Sequence, residues 1–91
     1  MGRLSKKIRP TEKNLSKIPN QSGAYLLFRS SKKPPYVGSA GAGRLQKRIR
    51  EQLRKKRGIT TIRYKPTTSE REAREWEEKY RKKYNPKQKR I

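Results

Sequence analysis

The chain contains no cysteine and no histidine. Disulfide cross-links are therefore excluded, as are zinc sites built on thiolates or imidazoles and any chemistry that needs a histidine as general base. Apolar and aromatic residues make up only 27% of the 91 positions. Any core is accordingly small, and part of its cover must come from the aliphatic stems of Lys and Arg. Low hydrophobicity with high charge also fits disorder, but the apolar residues here fall in patterned clusters that a solvated tail does not need. No stretch approaches the ~18 apolar residues of a spanning helix, and no apolar signal-peptide core follows Met1. A cytoplasmic protein that does not use a membrane is the expectation. Acidic residues are scarce too, seven against 28 Lys and Arg, which leaves a formal charge of +21. Such a chain repels itself, and a polyanion is its natural partner, nucleic acid before any other.

The length suits one domain. Residues 1–14 read as a basic N-terminal segment, loose from Met1 to Pro10; residues 15–86 form the domain, and 87–91 a basic tail. Leu15, Ile18 and Pro19 make a short apolar knot ahead of a continuous apolar run, Gly23–Phe28, which is short enough to be a buried strand. Polar turn material from Arg29 to Pro34 separates it from a second strand, Tyr36-Val37-Gly38, so the two form a hairpin with a long loop. Gly41-Ala42-Gly43 breaks the chain before a helix from about Arg44 to Lys56, on which Leu45, Ile49 and Leu53 recur every fourth residue. Gly58 suits its C-terminal end. Thr60–Tyr64 is β-branched and alternating, a third strand ending near Pro66. Thr68 or Ser69 caps a last helix that reaches Tyr84 and stops at Asn85-Pro86. This β-β-α-β-α order predicts an α/β (α+β) domain, a small three-stranded antiparallel sheet flanked by helices.

At about 100° per residue, Ala73, Trp76, Tyr80 and Tyr84 share one side of the last helix, and Glu77 lies within that stripe. A carboxylate facing a core needs a cation, which a metal ion, an Arg or a Lys can supply. Arg48 flanks the apolar stripe of the first helix, one turn before Gln52. It is either one more solvated cation or a bidentate partner for a phosphate oxygen. Tyr25 and Tyr36 lie on the hairpin strands, where aromatic residues ordinarily pack. As phenols they act on a water only if a nearby cation lowers their pKa from ~10.

Together these residues form a pattern. Leu15-Ser16-Lys17-Ile18-Pro19, then Gly23-Ala24-Tyr25, then Tyr36-Val37-Gly38, then Leu45-Gln46-Lys47-Arg48, and finally Ala73, Glu77 and Pro86 resemble a GIY-YIG nuclease domain, over most of the chain. The resemblance implies hydrolysis of DNA phosphodiesters with one Mg²⁺ or Mn²⁺ ion, as in DNA repair. It implies Glu77 as the metal ligand, Tyr36 as the residue that helps activate water, Arg48 as the phosphate-neutralising cation, and Tyr25 as an orienting group. Arg44, Lys47, Arg48, Arg50 and Gln52 on the first helix are the candidate nucleic-acid contacts. Three positions depart from the family pattern. Ala24 replaces a larger packing residue, two extra residues fall in Gly41-Ala42-Gly43, and Gln52 stands where many members carry His or Tyr. Glutamine does not exchange a proton at neutral pH.

Two other readings compete. One is a nucleic-acid-binding module that keeps the fold without the activity, favoured by Gln52. The other is a basic structural protein of a ribonucleoprotein, which has no reason to place a carboxylate in an aromatic stripe. No recognition module accompanies the domain, so backbone shape rather than base sequence should direct it, as a monomer or homodimer.

Overall fold

The computed structural model describes residues 4–29, 35–56 and 58–84. Met1 to Arg3, the turn residues 30–34, Arg57, the Asn85-Pro86 stop and the tail 87–91 lie outside the described residues. Within them the elements are α1 (Glu12–Leu15), β1 (Ser22–Arg29), β2 (Tyr36–Ala40), α2 (Leu45–Lys55), β3 (Ile59–Thr67) and α3 (Glu70–Tyr84). The three strands form one sheet in the order β2-β1-β3, and both pairings are antiparallel. A small antiparallel sheet flanked by helices is thus the architecture, as the sequence pattern predicts. None of the described helices is long and apolar enough to cross a membrane.

The central strand explains its own composition. Ala24 and Leu26 face α3, whereas Tyr25 and Leu27 face α2. With helices on both sides, β1 shows no polar alternation, and residues 22–27 are all buried. On the α2 side, Leu45 and Ile49 are wholly buried against Leu27 and Ile62. Gly23 allows this approach: a Cβ there would lie 2.6 Å from the Lys65 carbonyl oxygen and 2.9 Å from a Leu45 methyl. On the α3 side, Ala24, Leu26 and Tyr80 are buried, and Phe28, Val37, Trp76 and Tyr84 are half-buried around them.

Helix α3 starts at a reciprocal cap. The Glu72 N–H donates to Ser69 Oγ (3.1 Å), and the Glu72 carboxylate accepts from the Thr68 N–H (2.9 Å). The N–H and hydroxyl of Thr68, both donating to it, hold the Glu72 carboxyl below its usual range. A short turn, α1, was not apparent in the sequence. Thr11 caps it by accepting from the Asn14 N–H (3.2 Å).

One expectation needs correction. The segment before Pro10 is not loose where it is described. The Ser5 N–H donates to Tyr64 O (2.7 Å), and Ile8 and Ile62 exchange two backbone bonds of 2.9 and 2.7 Å, strapping the segment along the outer edge of β3. The third strand ends at Thr67, near Pro66 as expected, and includes the proline. Ile62 and Tyr64 turn their N–H groups outward, to Ile8 and Ser5. By the two-residue repeat, the Pro66 nitrogen faces outward as well, so no bond to β1 is lost.

Candidate active site

Tyr25 stands opposite Gly38 in the β1–β2 ladder. A Cβ on Gly38 would overlap the Oη and Cζ atoms of Tyr25, so the glycine is what lets the phenol lie across β2. The ring is only 5% exposed. Burial raises its pKa above the usual value; Arg48 pulls the other way, and Glu77 and Glu51 add to the rise. Desolvation outweighs the single nearby cation, and Tyr25 is a neutral hydrogen-bond donor at physiological pH.

The N-terminal half of α2 carries Arg44, Lys47 and Arg48 to a groove of about 540 Å³. Its floor is the Ser39–Ala42 segment, and its far wall is Glu70 and Arg74 of α3. Arg48 is half exposed, and its contact with Glu51 is long, at 3.7 Å. Two other candidates from the same helix lie elsewhere. Arg50 turns away to form a bidentate pair with Glu12 (2.7 and 2.6 Å) and to donate to Gln46 (3.3 Å). Gln52 is half-buried and does not line the groove.

Glu77 approaches from the opposite face of the sheet, where its side chain is 20% exposed. The Ser39 hydroxyl donates to Oε1 (2.6 Å), and the Arg81 guanidinium donates to Oε2 (2.5 Å). Arg81 also donates to the Val37 carbonyl (3.3 Å), which fixes it at the free edge of β2. The cation that a carboxylate in this stripe requires is thus supplied by Arg81, one turn along α3. The described residues contain no group of three or more acidic, histidine or cysteine side chains that could enclose a metal. The donors present do fit a magnesium-type ion, which binds through one or two carboxylates and fills its other positions with water and substrate phosphate. Such an ion would take Glu77, beside the Ser39 hydroxyl, with Arg81 giving up Oε2.

Tyr36 lies on the same face as Tyr25, two residues before Gly38. Arg29 and Lys56 lie over its ring at 4.4 and 4.2 Å from the centroid, and Arg29 donates to its oxygen (3.2 Å). Strand β2 is the common point: Tyr25 lies across Gly38, Ser39 lines the groove with Arg48 and donates to Glu77 from the other face, and Tyr36 lies farther along the strand. Sequence reasoning missed Ser39, Arg74, Arg81, Arg29 and Lys56. Only Arg81 had a usable signal, its four-residue spacing from Glu77 on a helix. Comparisons of this chain with family models, with curated proteins and with solved structures give no match in any of the three.

Proposed function

We infer that this chain is a divalent-metal-dependent endonuclease domain of the GIY-YIG type, cutting DNA phosphodiester bonds under the direction of substrate shape. The observation that carries the reading is a groove in which Arg44, Lys47, Arg48 and Arg74 outnumber Glu51 and Glu70, and whose floor residue Ser39 donates to Glu77. The groove cations hold the phosphate backbone. Arg48 is weakly engaged by Glu51, so it is available to neutralise the scissile phosphate and the charge that grows on it. Tyr25 donates a hydrogen bond from its neutral phenol. Tyr36 orients the attacking water through an oxygen whose position Arg29 fixes. Glu77 would hold the metal, which when bound polarises the phosphate and stabilises the leaving oxygen.

The test is cleavage of labelled duplex, flap, branched and single-stranded DNA with Mg²⁺ or Mn²⁺, with Glu77→Ala purified in parallel. Metal-dependent cutting should fall by at least ~10²–10³ in the variant while binding is retained. Normal cutting by the variant would remove Glu77 from the chemistry. A second reading, a binding module without activity, is favoured by one observation: both oxygens of Glu77 are already engaged, by Ser39 and Arg81. It predicts tight binding and no cutting on every substrate.

A further inference from the structure

A second cationic surface lies on the side of α3 turned towards β3, away from the groove. Four rings follow one another along it. Trp76 and Tyr80 have centroids 5.5 Å apart, Tyr80 and Tyr84 6.5 Å, and Tyr84 meets Phe28 edge-on at 5.9 Å. Ammonium groups cover the row: Lys65 and Lys79 lie 4.2 and 4.6 Å from the Trp76 centroid, Lys83 lies 5.5 Å from Tyr84, and Lys7 lies 5.8 Å from Phe28. Arg63 also acts on Tyr80. Among the acidic residues of α3, Glu72 accepts from Thr68 and also acts on Lys65, and Glu75 and Glu78 pair with Arg71 and Lys82.

We propose that this face is a base-stacking site for single-stranded nucleic acid, centred on Trp76 between Lys65 and Lys79. It rests on the nucleic-acid part of the function proposed above and is independent of cleavage. An ammonium over a ring is held by a modest attraction, and a phosphate is a stronger partner for it. An arriving strand offers both replacements at once: its phosphates draw the lysines off the ring, and a base takes the vacated π-face. A duplex keeps its base faces stacked internally and has nothing to offer Trp76. Tyr80 is buried in the middle of the row and backs the half-exposed Trp76, so the face open to a base is that of Trp76, with Tyr84 about 12 Å farther along the helix. The row is narrow and interrupted by lysines, unlike the broad apolar face that an interfacial helix buries in lipid.

Trp76 is the only tryptophan, so its emission reports this site in the unaltered protein. The probes are a short oligothymidylate, an abasic phosphodiester strand of equal length, a DNA duplex and phosphatidylserine vesicles, with binding followed separately by anisotropy of labelled strands. Oligothymidylate should quench Trp76 saturably, whereas the abasic strand and the duplex bind without quenching. Trp76→Leu should weaken oligothymidylate binding about tenfold or more and leave duplex binding unchanged. The double variant Lys65→Ala, Lys79→Ala, which leaves the ring in place, should act in the same direction. Anisotropy showing tight binding with no change in emission would overturn the stacking site but leave the nucleic-acid reading standing. Absence of binding to every strand would overturn both. A response to vesicles alone would identify a membrane-facing surface and overturn the proposal.

Discussion

On the side of the sheet covered by α2, the wholly buried side chains are Leu27, Leu45, Ile49 and Ile62, and Tyr25 is the phenol set among them. On the side covered by α3, the wholly buried side chains are Ala24, Leu26 and Ala73, two of them single methyls; Tyr80 is nearly so, and the remaining rings are half-exposed beneath lysines. A chain this poor in apolar residues does not close both faces equally. Its aliphatic residues make one dry face, which fixes the hairpin and the helix carrying Arg48. The other face is made of rings, which cover more area per residue and tolerate a polar margin. Glu77 and Arg81 occupy that margin.

The largest expected effect breaks the comparison if it fails. Ile49→Ala should cost about 2–5 kcal/mol in urea unfolding, because the side chain has no exposed surface. Val37→Ala, half-buried on the α3 face, should cost about 1 kcal/mol. Equal losses would mean that the two faces are packed alike. Next in size, Gly38→Ala should cost about 1–3 kcal/mol, since the added methyl overlaps the Tyr25 ring. A stabilised Gly38→Ala would mean that the phenol does not cross β2. The smallest effect is ionic. Burial raises the Tyr25 pKa, so the fold favours the neutral phenol. That contribution is complete below about pH 10, the unfolded value, and is lost as pH rises through the higher folded value. The ultraviolet difference between the protein and Tyr25→Phe should show a tyrosinate forming above pH 10. Titration below 10 would place Arg48 closer in effect than burial.

The elements were legible because their signals are local. The apolar run of β1, the four-residue repeat of Leu45, Ile49 and Leu53, and the Ser69 cap each lie within one turn or strand. Positions fixed by distant partners were not. Nothing near Ser5 or Ile8 announces Tyr64 and Ile62, more than fifty residues away. The same limit applies at the candidate site. The stripe showed that Glu77 needs a cation but did not choose among them, and Ser39 becomes its partner only once β2 packs under α3. Arg50 stands with Arg48 among the candidate contacts, yet two residues turn it about 200° round the helix, and Glu12 claims it from a turn that the sequence did not reveal.

The strap along β3 has a consequence for how copies of this chain meet one another. A three-stranded sheet has two outer strands, and bare outer strands are templates on which proteins polymerise edge to edge. Here the backbone of Ser5 and Ile8 occupies one outer strand, and Pro66 removes a donor from the same side. The other outer strand has five residues, and the Arg81 guanidinium sits on its Val37 carbonyl. An incoming strand would have to displace a segment of the chain at one border and a positive charge at the other. Protection against fibre growth is thus built from the two resources this sequence has in plenty, chain with little core to fill and cationic side chains.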